Sequence, residues 1–326
     1  MTKHMKNIGL NSKIYVAGQR GLAGSAVVRE LREQGYSNLV TRTHAELDLE
    51  DAAATQRFFE QEKPDLVFLA AAKVGGIYAN NVYPVDFIMS NLLIEANICR
   101  AAHAVNVNRL IFLGSSCIYP RDCPQPIREE YLLTGPLEAT NRPYALAKIA
   151  GIEMCWSYNR QYATKWLAAM PTNLYGPGDS YDLNNSHVLP ALIRKMHEAK
   201  VSGASEVVLW GTGTPRREFL YVDDLANALV FLATLDDARY DVLVDPAHCP
   251  LINVGSGVDL TIRALAETVG EVVGFKGQFV QDTSKPDGTM RKIMDVTKLC
   301  NLGWALKTDL PTGVALAYQD YKNRNN

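Results

Sequence analysis

The first half of the chain alternates short apolar runs with longer segments in which apolar residues recur every three or four positions. The short runs are rich in β-branched and aromatic residues, which is typical of buried parallel strands. They lie at residues 13–17, 38–41, 65–69, 109–113 and 165–170. The longer segments have the period of a helix and lie at residues 22–34, 51–62, 86–104 and 143–162. This alternation predicts an α/β fold, a doubly wound parallel sheet of the Rossmann type.

The fifth apolar run leads into the sequence PTNLYGPGD at residues 171–179. We expect its prolines and glycines to end regular structure and to bring the chain to the mouth of the sheet. Ligands of doubly wound folds bind there, outside the carboxyl ends of the strands.

The pattern changes after about residue 184. It predicts a helix over 187–200, a strand ending in Trp210, and a helix with Asp223 or Asp224 as its N-cap. No repeat or low-complexity linker separates the two halves of the chain. We therefore expect two interleaved lobes. A Rossmann lobe covers residues 12–183 with a returning segment at about 214–250, and a smaller α/β lobe covers residues 184–213 and 251–326.

Composition narrows the class of protein. The 326 residues are 47% hydrophobic, and the net charge of -2 gives no basic field for a nucleic acid or an anionic membrane. No apolar run approaches the roughly 18 residues of a membrane helix, and the first 12 residues lack the apolar core of a signal peptide. Six scattered cysteines form no CxxC pair, so we expect neither disulfides nor a metal site, and a cytoplasmic location.

A glycine-rich turn follows the first strand directly and opens the first helix. Glycines at spacing GxxGxxG let a backbone approach a pyrophosphate, which the helix N-terminus stabilises with free N–H groups. The segment predicted to contact a dinucleotide comprises Gly18, Gln19, Arg20, Gly21, Leu22, Ala23 and Gly24.

The end of the second strand indicates which dinucleotide binds. NAD sites usually have an acidic residue there for the ribose 2′-hydroxyl, whereas this chain has Arg42 followed by His44. Arg42 and Arg20 are suited to a 2′-phosphate, so we expect NADP. The alternative is that both arginines are solvated surface groups.

Tyr144 and Lys148 stand four residues apart in a helical segment and therefore share one helix face. A neighbouring ammonium lowers the pKa of a phenol toward a working range, so Tyr144 could exchange a proton with a carbonyl. Such pairs are common by chance in helices. The fourth strand, however, ends in Gly114-Ser115-Ser116, where Ser115 could hydrogen-bond the reacting oxygen.

Cys117 follows two residues after Ser115. If the chain stays extended there, both side chains point to the same side while Ser116 points away. A thiolate beside a ketone could remove a proton from an adjacent carbon, which would couple reduction to epimerisation. The alternative is that Cys117 is a small packing residue.

The glycine turn, the serine and the Tyr/Lys pair resemble the extended short-chain dehydrogenase/reductase family over essentially the whole chain. Five segments are similar to its nucleotide-sugar branch, and in particular to the GDP-L-fucose synthase family. They are AAAKVGGI (70–77), GSSCIYP (114–120), PYALAKIAG (143–151), PTNLYGP (171–177) and NSHV (185–188). The resemblance implies 3,5-epimerisation of GDP-4-keto-6-deoxy-D-mannose and NADPH reduction of its C4 ketone to give GDP-L-fucose.

The resemblance also implies roles for residues. Cys117 would be the base and His187 the acid of epimerisation, although a histidine at a helix start is more often a cap or packing residue. Further cofactor contacts would be Leu113, Gly114, Ser115, Ser116, Tyr144, Lys148, Pro171, Thr172, Asn173, Leu174 and His187. Substrate contacts would be Lys195, Trp210, Arg217 and Asp287, with Arg216, Arg291 and Lys292 as further candidates.

Family members often have a second arginine where this chain has His44, which implies a weaker and more pH-dependent grip on the 2′-phosphate. The resemblance further implies a homodimer through the helices at 86–104 and 143–162, whose apolar stripes could equally serve the core. An NAD-retaining dehydratase or C4 epimerase is the first alternative, but such dehydratases need an acidic residue near the serine. A non-catalytic sensor is the second, but such proteins commonly lose the tyrosine or the lysine.

Overall fold

The structure is a computed structural model and describes residues 8–183, 186–285 and 287–325. Its strands are β1 (Ile14–Ala17), β2 (Leu39–Val40), β3 (Leu66–Leu69), β4 (Arg109–Leu113), β5 (Lys165–Pro171), β6 (Asn173–Tyr175), β7 (Glu206–Trp210), β8 (Arg216–Tyr221), β9 (Leu251–Val254), β10 (Asp259–Thr261), β11 (Gln278–Asp282) and β12 (Arg291–Lys292). Its α-helices are α1 (Leu22–Glu33), α2 (Ala52–Glu62), α3 (Ile77–Val82), α4 (Pro84–Ala104), α5 (Arg142–Tyr162), α6 (Val188–Ser202), α7 (Val222–Thr234), α8 (Asp237–Leu243), α9 (Ile262–Val273), α10 (Thr297–Asn301) and α11 (Leu310–Asn325).

The large sheet is parallel and has the strand order β2-β1-β3-β4-β5-β9. Successive residues of a strand face opposite sides of a sheet. Ile14 and Val16 accordingly pack under α1 and α7, whereas Tyr15 and Ala17 pack under α2, α4 and α5. Helices therefore cover both faces, as predicted for a doubly wound fold. The chain order reverses beside β1 and β3, and this reversal opens a crevice at the carboxyl ends of the strands.

The second lobe is built around β8. This strand pairs with β10 and β12 and, at its end, with β6, while β7 and β11 form a separate parallel pair. Helices α6, α9 and α11 pack on these strands through a separate apolar core. Strand β9 lies in the large sheet, so residues 251–254 belong with the first lobe, whereas the sequence boundary assigned them to the second.

Two local predictions were wrong. Residues 171–179 are not irregular throughout, because Asn173–Tyr175 pairs with the end of β8. Helix α7 begins at Val222 after Tyr221, and no side chain caps it. Asp223 and Asp224 make tertiary contacts instead, with Arg29 and with the Thr308 amide respectively.

The segment SKPDGTMRK at 284–292 ends in β12, and its Pro286 lies outside the described residues. The segment at 260–274 is the end of β10 followed by α9. Among the described residues, no helix is both long and apolar enough to cross a membrane.

Candidate active site

A cleft of about 860 Å³ lies at the carboxyl ends of β1, β3, β4 and β5. All residues predicted to contact the cofactor line it, namely Gly18, Gln19, Arg20, Gly21, Leu22, Ala23, Gly24, Arg42, His44, Leu113, Gly114, Ser115, Ser116, Tyr144, Lys148, Pro171, Thr172, Asn173, Leu174 and His187. A volume of this size and a wall of mixed apolar and polar groups fit an extended dinucleotide.

Two glycines form the cradle at one end of the cleft. Gly18 has φ of +87°, and a Cβ there would lie 2.7 Å from the Ala71 amide nitrogen. A Cβ on Gly24 would collide with the Gly18 carbonyl oxygen. Only glycine therefore lets the turn after β1 close onto the N-terminus of α1, where free N–H groups can receive a pyrophosphate.

Arg42 lies at the ribose end of the cleft and is held in place. Its Nη2 donates to Glu62 Oε1 at 2.7 Å, its Nη1 donates to the Thr41 carbonyl, and its guanidinium lies 5.3 Å from the centre of the Phe58 ring. His44 is far more exposed, with its Nδ1 3.8 Å from Asp48 Oδ1. Of the two, Arg42 is the better placed to bind a 2′-phosphate.

The chain does not stay extended beyond β4. Ser115 has extended backbone angles, but a short 3-10 helix begins at Ser116, and the Ser115 hydroxyl accepts a hydrogen bond from the Cys117 amide at 3.4 Å. The expected alternation of side chains is therefore wrong, because it requires continuous extended backbone. Ser116 lines the cofactor cleft, whereas Cys117 is buried beside it.

Tyr144 reaches the cleft from the first turns of α5 and packs edge-to-face on Phe87. Burial raises the pKa of Tyr144 above its usual value, and the nearby Cys117 and Glu95 raise it further, while the Ser115 hydroxyl lowers it. Burial thus dominates the pKa of this phenol, and the lowering expected from the ammonium together with the nicotinamide charge stays a prediction for the complex with the cofactor. The phenol stays protonated at neutral pH, which is the form that can donate a proton.

Lys148 is almost fully buried, and its ammonium contacts other groups besides the Tyr144 phenol. Its Nζ donates to the Leu113 carbonyl at 3.2 Å, lies 3.2 Å from Glu95 Oε1 and lies 5.9 Å from the centre of the Tyr144 ring. Glu95 was not predicted from the sequence. The pattern that could have indicated it is a lone acidic residue on the buried face of an otherwise apolar helix.

Cys117 belongs to the same cluster. Burial raises the pKa of its thiol, whereas the charge of Lys292, the Ser115 hydroxyl and the charge of Lys148 lower it. Burial also lowers the pKa of Lys292, and the Cys117 thiolate opposes this shift. Lys292, only a further candidate in the sequence, thus lies beside the proposed base and can stabilise its anion.

His187 precedes α6 and occupies its N-cap position, but its side chain makes no capping hydrogen bond. The ring lines the cofactor cleft, where loss of hydration lowers its pKa. The side chain is therefore not a cap, and the imidazole faces the cleft. Of the NSHV motif that contains it, Asn185 lies outside the described residues.

The four predicted substrate residues lie together in the second lobe. Lys195 Nζ lies 5.3 Å from the centre of the exposed Trp210 ring, and Asp287 accepts hydrogen bonds from Thr212, two residues after that tryptophan. Arg217 is half-buried, and burial lowers its pKa while the charge of Asp287 raises it. Arg217 also influences Lys292, so charged groups extend from Trp210 toward Cys117.

The other two candidate arginines have structural partners. Arg216 and Arg291 both bind the carboxylate of Asp259, at 3.0 and 2.6 Å. These ion pairs hold β8, β10 and β12 together. Arg217 and Lys292 make no such pair among the described residues, which leaves their charges available to a ligand.

The chain matches known proteins over nearly its whole length. Residues 14–243 match the NAD dependent epimerase/dehydratase family. The chain is 58% identical to GDP-L-fucose synthase 1 of Arabidopsis thaliana over 95% of this chain and 93% of that protein. It is 54% identical to GDP-L-fucose synthase of Escherichia coli K12 over 94% and 95%.

A solved structure agrees with the sequence matches. A GDP-L-fucose synthetase from Naegleria fowleri bound to NADP superposes with a TM-score of 0.88 at 28% identity, over 100% of this chain and 98% of that chain. The chain therefore belongs to the NAD dependent epimerase/dehydratase family and, within it, to the GDP-L-fucose synthases.

Proposed function

We propose that this protein converts GDP-4-keto-6-deoxy-D-mannose to GDP-L-fucose, as a 3,5-epimerase and an NADPH-dependent 4-reductase. The observation that carries the proposal is the convergence of Ser115, Tyr144, Lys148 and Cys117 at one end of the dinucleotide cleft. The same site thus contains a proton donor for a ketone oxygen and a base for the carbons beside it.

Bound NADPH supplies the hydride for C4. The glycine cradle at Gly18 and Gly24 receives its pyrophosphate, and Arg42 binds its 2′-phosphate. Lys148 would bind the nicotinamide ribose. The small side chains at Ala70, Ala71 and Ala72 leave room for the cofactor against β3.

In the reduction, Tyr144 donates a proton to the C4 oxygen while Ser115 orients that oxygen by a hydrogen bond. Burial keeps the phenol protonated, so the proton is present when it is needed. Lys148 stabilises the phenolate that remains.

In the epimerisation, Cys117 removes the proton from C3 and from C5, both of which the C4 ketone acidifies. His187 returns a proton on the opposite face of the sugar. Ser115 donates a hydrogen bond to the oxygen as it gains charge. Lys292 lies beside Cys117 and favours its thiolate.

The GDP end of the substrate binds in the second lobe. Arg217 and Lys195 pair with diphosphate oxygens, and Trp210 offers an exposed ring to the nucleobase. Asp287, held by Thr212, accepts hydrogen bonds from the substrate. The lobe comprises residues 184–213 and the chain after β9, together with β6 and β8.

We place the protein in the cytosol. All six cysteines are free thiols, three of them buried, which suits a reducing compartment.

The protein forms a homodimer through α4 and α5. Val85, Met89 and Leu93 lie at intervals of four on α4 and are 67%, 48% and 38% exposed, and Leu146 on α5 is 39% exposed. Such a stripe on two packed helices is suited to a four-helix interface with a second copy.

The test is to mix the protein with NADPH and the 4-keto substrate in D2O, and to follow the nicotinamide absorbance and the sugar by NMR. Loss of NADPH with deuterium at C3 and C5 and a GDP-L-fucose product supports the proposal. NADPH loss without deuterium would indicate a plain 4-ketoreductase. No loss of NADPH would contradict the proposed reduction and favour the dehydratase or the sensor alternative.

A further inference from the structure

A buried ion pair lies behind the reduction site. Lys148 Nζ and Glu95 Oε1 are 3.2 Å apart, and their side chains are only 2% and 1% exposed. Removing two charges from water is costly unless their interaction and geometry compensate for it. The cost of burying this ion pair therefore indicates that the pair has a specific role in the site.

Glu95 occupies a slot between α4, β4 and α5. A Cβ on Gly151 would lie 2.9 Å from Glu95 Oε2 and would collide with the Phe112 ring, so the absence of a side chain at Gly151 makes the slot. Among the described residues, neither oxygen of the Glu95 carboxylate has a hydrogen-bond partner, and the ion pair with Lys148 is the contact that compensates its charge. The slot thus orients the Glu95 carboxylate toward the Lys148 ammonium.

The ammonium of Lys148 has three N–H donors. One reaches the Leu113 carbonyl at 3.2 Å, and the ion pair with Glu95 holds the ammonium from a second side. The ring of Phe112 lies 4.7 Å from the ammonium on the side of the sheet. The Leu113 carbonyl and the Glu95 carboxylate therefore restrict the position of the Lys148 ammonium.

We propose that Glu95 is a positioning residue for the reduction step, which holds the Lys148 ammonium so that it faces Tyr144 and the cofactor ribose. This inference rests on the proposed function, because it assigns Lys148 to the reduction. Glu95 itself touches neither cofactor nor substrate in this role. The epimerisation, which uses Cys117 and His187, does not depend on it.

The charge of Glu95 also acts on the acid of the reduction. Burial raises the pKa of Glu95 to about 7, and Lys148 opposes this shift, so the carboxylate is ionised in mildly alkaline solution. Its negative charge there raises the pKa of Tyr144. The other titratable groups that face it among the described residues are the Cys99 thiol on α4 and the Cys155 thiol on α5, and burial raises the pKa of both, so both stay neutral.

The experiment is E95Q in the D2O assay at saturating NADPH and pH 8. We expect hydride transfer to fall about tenfold or more, while deuterium exchange at C3 and C5 stays within about twofold of the unmodified protein. E95D keeps the charge, so it should recover more of the hydride-transfer rate than E95Q does.

E129Q is the matched control, since Glu129 is also a buried carboxylate near a lysine, Lys298 at 3.5 Å, but lies away from the cleft. It should change neither activity. Equal losses of reduction and exchange in E95Q, or no recovery of the reduction in E95D, would assign Glu95 a merely structural role and overturn the inference. The unmodified protein in the same assay tests the proposed function separately.

Discussion

Arg42 and Glu62 form an ion pair between the end of β2 and the end of α2, with Nη2 and Oε1 2.7 Å apart. The pair and the Phe58 ring fix the guanidinium beside the cleft before any ligand binds. A cation oriented in this way loses little side-chain entropy when it binds an anion.

Arg42→Ala should therefore weaken NADPH binding by about tenfold to a hundredfold, since charge-assisted hydrogen bonds contribute about 1.5–3 kcal/mol. NADH binding should change little, because NADH has no 2′-phosphate. Fluorescence titration with both cofactors measures the two affinities. Arg57→Ala, an exposed arginine on α2 outside the cleft, is the control. Equal losses for NADPH and NADH would refute a 2′-phosphate role.

Tyr144→Phe should lower the reduction rate by about 10²–10⁴-fold, the usual contribution of a positioned acid. Exchange at C3 and C5 should continue, because its proposed acid and base are other residues. Stopped-flow absorbance measures the hydride transfer and NMR in D2O measures the exchange. Tyr158→Phe removes a hydroxyl from the same helix near Trp166 and should leave both unchanged. Reduction at the normal rate by the Tyr144→Phe variant would exclude the assignment.

Cys117→Ser should abolish deuterium exchange at C3 and C5, because a serine hydroxyl is far less acidic than a thiol. In the unmodified protein burial raises the pKa of the Cys117 thiol. The thiolate fraction below that pKa grows with pH, so the exchange rate should rise from pH 6 to pH 8, by about tenfold per unit at most.

The control for this variant is Cys123→Ser, since Cys123 is half-buried and its thiol also senses the charge of Lys292. It should exchange normally. Exchange that persists in the Cys117→Ser variant would show that another group is the base.

Asp179 follows β6, and burial raises its pKa from the usual value to about 6. Its Oδ1 accepts from the Ser180 amide at 2.7 Å, but its Oδ2 has no hydrogen-bond partner among the described residues. A carboxyl with a raised pKa contributes stability below its unfolded pKa and loses that contribution as pH rises through the folded value. The loss here falls between about pH 4 and pH 6.

Asp179→Asn should consequently raise the free energy of unfolding at pH 8 by about 2 kcal/mol and leave it nearly unchanged at pH 4. Urea denaturation at the two pH values measures the difference. Asp245→Asn, at an exposed aspartate, should have no comparable effect. A variant less stable than the unmodified protein at pH 8 would contradict the expected cost of this buried charge.

Leu93→Glu should convert the proposed dimer to a monomer of 36.0 kDa, because a charge would be buried in the apolar interface. Light scattering after size-exclusion chromatography measures the mass. Leu316→Glu changes a leucine of similar exposure on α11 and should leave the dimer intact. A monomeric unmodified protein, or a Leu93→Glu variant that remains dimeric, would exclude this interface.

The sequence alone determined the architecture of the first lobe and the residues of the cleft. Buried parallel strands have a continuous apolar pattern, and glycines at Gly18 and Gly24 are required by the local backbone, so both signals are local. Tyr144 and Lys148 share a helix face by spacing alone. The short strands β6, β9 and β12 had no such signal, because their pairing depends on where β5 and β8 lie in space.

Tertiary structure decided how the groups of the site act on one another. Sequence spacing suggested that Lys148 lowers the pKa of Tyr144, whereas burial of the phenol in the structure raises it. The Lys148 ammonium also forms an ion pair with Glu95, which lies 53 residues earlier in the chain. A short 3-10 helix follows Ser115 where extended backbone was expected. Lys292, on β12, lies near Cys117 although the two residues are far apart in the sequence. Desolvation and long-range contacts depend on the whole packed chain. The sequence could therefore indicate residues of the site, but it could not determine which groups they contact or whether they are protonated.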